Sequence, residues 1–218
     1  MITEILPPEV AAQEAFEDML DVMLFPEEES VIARAAGKRR REFTTGRACA
    51  RAALAKLGMP PVPIVPGPHG APCWPPGVVG SITHCPGYRA SAVAFDRDML
   101  TIGLDAEPHQ KLPDGVLEAI SAAGERARLA ALAEIAPDIY WDRLLFSAKE
   151  SVYKAWFPLT LRWLGFEDAV ISLDPVNGTF STQLLVNAPS AQTGMLPGFA
   201  GRWLVRDGLV ATTIVVPS

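Results

Sequence analysis

Histidine and cysteine are scarce in this chain of 218 residues, with three of each. The cysteines (Cys49, Cys73, Cys85) are odd in number and show no close paired spacing. Neither a disulfide framework nor a zinc site is indicated, and reduced thiols are expected. The histidines (His69, His84, His109) fall in separate segments, which leaves no imidazole set for a metal. No apolar run reaches the length of a membrane span. Residues 1–8 also lack a basic region followed by a long apolar one, so a cytoplasmic protein without membrane contact is expected. Positive charge is in deficit too. The net charge of −6 argues against general nucleic-acid binding, and any anionic ligand must be drawn by a local basic patch. What remains is 49% hydrophobic and 20% charged, enough for a packed core. The length suits one substantial domain or two small ones sharing an interface.

Short apolar pieces fill residues 1–25, with edge strands expected near Ile5 and over 10–16. Pro26-Glu27-Glu28-Glu29 opens a helix, with proline early and negative charge in the first turn. The helix runs to 57 before Gly58, Pro60 and Pro61, and Gly37 is a point where it can break. Ile32, Ala36, Phe43, Ala50, Leu54 and Leu57 form a core-facing stripe. A second row carries Arg40, Thr44, Arg47 and Arg51, and reads either as a phosphate clamp or as a solvated basic face. Residues 59–88 hold nine of the twenty prolines, which predicts a rigid irregular connection anchored by Trp74, Val78 and Val79. It ends in Gly80-Ser81-Ile82-Thr83-His84, where small polar donors beside glycine have the chemistry of a phosphate-cradling turn; a structural histidine is the alternative. A strand over 90–95 follows.

Beyond Glu107 the chain turns through Pro108 and Pro113 into a helical region over 116–136, as one helix or two. A stronger helix spans 138–157. Trp141, Leu144, Leu145, Ala148, Val152, Ala155 and Trp156 form its buried stripe, with Arg143, Ser147, Glu150 and Lys154 on the other side. Strands are expected over 170–173, 179–186, 202–206 and 209–216, joined by turns at Asn177-Gly178 and Asp207-Gly208 and by a proline–glycine loop. The class is α+β, in two comparable halves without a sequence repeat, 1–107 and 108–218.

The chemistry concentrates in two segments. In Gly103-Leu104-Asp105-Ala106-Glu107, two carboxylates follow an apolar run at i and i+2. On a strand they point the same way, and they repel unless a cation lies between them or one holds a proton. Ser147-Ala148-Lys149-Glu150-Ser151-Val152-Tyr153-Lys154 adds a third carboxylate between two lysines. Such a set suits a hard divalent metal holding a phosphate-bearing substrate. Each segment also has an ordinary reading, a solvated turn and an i,i+4 surface ion pair.

Taken in order, Gly80-Ser81-Ile82-Thr83-His84, Gly103-Leu104-Asp105-Ala106-Glu107 and Phe146-Ser147-Ala148-Lys149-Glu150-Ser151-Val152-Tyr153-Lys154 resemble the 4'-phosphopantetheinyl transferases. The likeness is to the monomeric, two-lobed bacterial type and in particular to actinobacterial members, whose character Pro72-Cys73-Trp74-Pro75 and Lys154-Ala155-Trp156-Phe157-Pro158 share. The resemblance implies two α/β lobes of similar size, packed pseudo-symmetrically around a cleft that holds the active site. It implies Mg²⁺-dependent transfer of the phosphopantetheine arm of coenzyme A to a serine of an acyl or peptidyl carrier protein of fatty-acid, polyketide or nonribosomal peptide synthesis. Asp105, Glu107 and Glu150 match the metal ligands, with Glu150 also the general base and Lys154 beside the reacting phosphates. Ser81 and His84 match positions for the 3'-phosphate of coenzyme A, Arg47 and Arg51 its nucleotide end, and Lys149 and Lys154 its pyrophosphate. Relatives commonly carry a phosphate-contacting lysine where this chain has Gly67-Pro68-His69-Gly70; His69 either donates the same contact or stands by. A metal-dependent phosphodiesterase and a non-catalytic binder of coenzyme A or carrier protein are the rival readings.

Overall fold

A computed structural model describes residues 1–186, 189–190, 194–195 and 197–218. Its strands are β1 (Ala11–Ala15), β2 (Val78–Cys85), β3 (Tyr88–Phe95), β4 (Met99–Pro108), β5 (Ala169–Asp174), β6 (Thr179–Leu184), β7 (Pro189–Ser190), β8 (Gly194–Met195), β9 (Gly198–Arg206) and β10 (Leu209–Pro217). Its helices are α1 (Pro26–Ile32), α2 (Gly37–Lys56), α3 (Val116–Ile120), α4 (Ala123–Ile135) and α5 (Trp141–Thr160). One antiparallel sheet has the order β1-β3-β2, and a larger one β4-β10-β9-β6-β5. The proline–glycine connection between β6 and β9 lies partly outside the described residues; its described part pairs β7 with β8. No helix among the described residues is long and apolar enough to cross a membrane.

Each sheet carries a 20-residue helix. Ala50, Ala53 and Leu54 of α2 pack with Val78 and Val93 on the small sheet. Leu144, Leu145, Ala148, Val152 and Trp156 of α5 pack with Phe180, Trp203 and Ile214 on the large one. A third apolar cluster, including Tyr88, Ala92, Ile102, Leu104 and Ala211, fills the space between the sheets. The whole is mixed α+β in two lobes.

The structure settles two readings left open by the sequence and adjusts two others. The helix opened by Pro26 is two, because the chain turns after residue 33 and Ala36 is extended before Gly37. The region 116–136 is likewise two helices. The end of the proline-rich segment, expected to be a turn, is strand β2, paired with β3 along its full length. Its pattern is disguised because Ser81 and Thr83, not large apolar residues, occupy buried positions. Finally β4, expected in the first half, is hydrogen-bonded to β10 in the second sheet.

Ser81 and Thr83 also join the lobes. Leu104 N donates to Ser81 Oγ at 3.1 Å and Ala106 N to Thr83 Oγ1 at 3.1 Å. Both bonds span 23 residues, so β2 and β4 run parallel, with hydroxyls standing where carbonyls would complete a ladder.

Of the side of α5 expected to face away from the core, Arg143 and Ser147 are buried and Glu150 and Lys154 are half-buried. Ser147 and Ser151 share the Thr212 hydroxyl of β10, and Thr101 Oγ1 of β4 donates to Ala155 O at 2.9 Å. The closest approach is at Gly103, where a Cβ would lie 2.0 Å from Ser151 O. Because that neighbour is backbone, Gly103→Ala is expected to destabilise by about 3 kcal/mol through overpacking. Urea denaturation measures this; an unchanged midpoint would mean that α5 does not rest on β4 here.

Candidate functional site

The seating of α5 on β4 decides which side chains meet. Leu104 and Ala106 enter the interlobe core, so their neighbours Asp105 and Glu107 turn toward α5. Lys154 Nζ donates to Asp105 Oδ1 at 2.7 Å and to Leu104 O at 3.0 Å, leaving one of its three protons for the cleft. Thr83 Oγ1 donates to the same Asp105 oxygen at 3.2 Å. The other oxygen, Oδ2, is buried with no hydrogen-bond partner among the described residues. Glu107 pairs with Arg143 Nη1 at 3.0 Å. Arg143 also donates to Gln110 O and Lys111 O, which ties the turn after β4 to α5. Burial and the charge of Asp105 push Glu107 up to about 7, against the pull of Arg143 and Lys154. Glu150 makes no hydrogen bond or ion pair among the described residues, and burial raises its carboxyl, with Lys154 opposing and Asp105 adding to the rise.

Of these groups, Glu150 and Lys154 line a cavity of about 540 Å³, together with residues 67–74 and 78–82, Thr101, Tyr153 and Phe157. His69 stands at its rim with a left-handed φ of 53°, its ring 5.2 Å edge-on from Phe157. The Tyr153 hydroxyl is buried there without a hydrogen-bond partner among the described residues. Ser81 lines the same cavity, but its oxygen already accepts from Leu104 N.

A second cavity of about 230 Å³ shares Gly70, Pro72 and Ile82 with the first and is lined by Arg39, Glu42, Phe43, Arg47 and His84. Arg47 lies under it, with Nε donating to Ile64 O at 2.6 Å and its guanidinium 4.1 Å over the Phe43 ring. Burial lowers it to about 10, so it stays charged at neutral pH. Arg39 Nη1 is 2.8 Å from His84 Nε2. Sequence reasoning missed Arg39 because it followed the row 40–44–47–51. The row one residue back, Arg39–Phe43–Arg47 at two spacings of four, was the available signal. A broader hollow of about 1080 Å³ on the outer face of the large sheet contains none of these residues.

Three expected ligands are engaged elsewhere. Both oxygens of the fully buried Glu28 accept from Arg51 Nη1 at 2.8 Å, so Arg51 braces α1 against α2. Arg40 pairs with Glu29 of α1. Lys149 is turned away from the cleft and buried, donating to Glu125 Oε2 at 3.0 Å, Phe166 O at 2.8 Å and Ala169 O at 2.9 Å. Its three protons are committed, and burial lowers its ammonium despite Glu125. In each case an acidic residue far along the chain claimed the cation.

The donor set fits a magnesium ion that a substrate would complete. Among the described residues no three acidic, imidazole or thiol groups converge as a ready-made metal cage. Mg²⁺ commonly takes only one or two carboxylates and fills its octahedron with phosphate oxygens and water. The unpartnered Asp105 Oδ2, and the rise that Asp105 induces in both Glu107 and Glu150, mark a place short of positive charge.

The chain matches known proteins along most of its length. Residues 27–94 match the family model described as the 4'-phosphopantetheinyl transferase N-terminal domain, and residues 101–197 that of the 4'-phosphopantetheinyl transferase superfamily. The chain is 53% identical to 4'-phosphopantetheinyl transferase Svp of Streptomyces mobaraensis, over 99% of this chain and 89% of that protein. It is 50% identical to Npt of Nocardia iowensis, over 98% and 99% respectively. With PptT of Mycobacterium tuberculosis the identity is 46%, over 99% and 98%.

The diverted cations give a contrast in stability. Lys149→Met and Arg51→Ala each strand a buried carboxylate and are expected to cost about 3–5 kcal/mol. Arg40→Ala, which removes an exposed pair, should cost under about 1 kcal/mol. Thermal or urea unfolding of the three variants checks the order, and equal losses would contradict these placements.

Proposed function

The chain belongs to the 4'-phosphopantetheinyl transferases, and on that premise we propose that it moves the phosphopantetheine arm of coenzyme A, with Mg²⁺, to a serine of an acyl or peptidyl carrier protein, releasing adenosine 3',5'-bisphosphate. The observation that carries the reading is the pair of adjoining cavities. One is lined by Arg39, Arg47 and His84, and the other by Glu150 and Lys154, with Asp105 held against Lys154. An elongated donor with a phosphorylated nucleotide at one end and a scissile pyrophosphate near the carboxylates matches that division of charge.

In this reading Asp105 Oδ2, with Glu107 and Glu150, would hold a magnesium ion, which would supply positive charge to the phosphates. Lys154, fixed by Leu104 O and Asp105, aims its remaining proton at the leaving phosphate, where a compact ammonium suits growing charge. Glu150 takes the proton of the attacking serine, a weak nucleophile unless a base removes it. Its burial and lack of a polar partner leave the carboxylate more basic than an exposed one. The Tyr153 hydroxyl and the Phe157 ring support a place for the arm itself, one polar and one apolar contact along the same wall.

The test is intact-mass spectrometry of an apo carrier protein incubated with this protein and coenzyme A. A gain of one phosphopantetheine arm with magnesium, abolished by EDTA, is expected. Glu150→Gln should slow the transfer by about 100-fold or more while leaving the fold intact. No mass gain with carriers of fatty-acid, polyketide and peptide type would overturn the reading.

A further inference from the structure

The contact between Arg39 and His84 fixes a charge state. A guanidinium can only donate, so the 2.8 Å contact from Arg39 Nη1 makes His84 Nε2 the acceptor. The imidazole is then neutral, with its proton on Nδ1. The charged groups around it come from three elements. From α2 come Arg39 and Glu42, the latter with Oε2 4.0 Å from Nδ1, too long for a hydrogen bond but close enough to act through charge. Arg89 faces His84 across the β2–β3 ladder, and Lys154 of α5 acts from farther off. Burial and Arg39 hold the ring below the ordinary imidazole range, with Glu42 opposing and Lys154 and Arg89 adding to the fall.

A phosphate monoester would reverse this balance. As a dianion it accepts from Arg39 and so releases Nε2, and it places two negative charges beside the freed ring nitrogen. Nε2 then gains more by donating than by accepting. Glu42, 11% exposed at its side chain, is already positioned near the Nδ1–H of the imidazolium so formed.

We infer that His84 takes up a proton from solvent at Nε2 when a phosphate monoester seats between it and Arg39, and that this coupled protonation distinguishes a 3'-phosphorylated donor from its dephosphorylated counterpart. The inference rests on the coenzyme A reading above. His84 and Arg39 thus read the phosphate by its charge as well as its shape, and binding of the phosphorylated donor weakens as pH rises and the proton becomes harder to obtain.

Isothermal titration calorimetry at pH 8 tests this, because the free imidazole is neutral there and the phosphate monoester is a dianion. Coenzyme A and dephospho-coenzyme A are titrated in Tris and in Hepes, with the same magnesium chloride throughout. Buffer-dependent heats that report uptake approaching one proton are expected for coenzyme A and none for dephospho-coenzyme A. For His84→Gln, whose fold is checked by circular dichroism, the uptake for coenzyme A should vanish and affinity should fall about tenfold or more. If coenzyme A binds with equal heats in both buffers, or if both ligands bring the same proton uptake, the inference is overturned while the coenzyme A site stands. If the folded protein binds neither ligand, the coenzyme A reading fails and takes the inference with it.

Discussion

The backbone contact between α5 and β4 is the constraint on which the rest depends. With no side chain at Gly103, the helix sits directly on the strand, a Cβ there lying only 2.0 Å from Ser151 O. That distance brings Lys154 within 2.7 Å of Asp105 and Arg143 within 3.0 Å of Glu107. The polar groups between the elements are satisfied by Thr101, Ser147, Ser151 and Thr212. Such an arrangement is costly unless every partner is present, and here it holds charged side chains at one register along ten residues of strand.

The second requirement is that two sheets meet without merging. β2 and β4 lie side by side, but the hydroxyls of Ser81 and Thr83 accept hydrogen bonds from backbone amides of the neighbouring strand. Thr83 further donates to Asp105. The junction between lobes and the carboxylate of the site are thus served by the same side chain. Residues from α2, the proline-rich segment and β2 are thereby brought against those of β4 and α5.

Some of this was legible in the sequence. Asp105 and Glu107 share a face because strand periodicity leaves no other choice, and the apolar stripe of α5 follows from helical spacing. The arginines of α2 were not legible. Four basic residues in succession offer several rows, and only tertiary structure tells that Glu28 and Glu29 of α1 neutralise Arg51 and Arg40, leaving Arg39 and Arg47 at the cavity. Lys149 misled for a similar reason. Its adjacency to Glu150 suggested a shared task, whereas 100° of helical turn separates neighbours and Glu125 waits on the other side. Strand β2 escaped notice because its inward positions are small and polar, where a strand is recognised by large apolar ones.

Among the polar contacts that tie the segment between α2 and β2 to the rest of the fold are Ile64 N on Glu28, Ile64 O on Arg47, Trp74 Nε1 on Gly80 O and Asp96 N on Gly77 O. Within it, Pro66 and Pro72 are bridged, and its residues wall both cavities. The carboxylates and Lys154, by contrast, come from elements locked deep in the second lobe. The shape of both cavities is therefore set largely by one stretch of chain, and the reactive groups by another. A lineage can rewrite the first, residue by residue, while the second stays as it is.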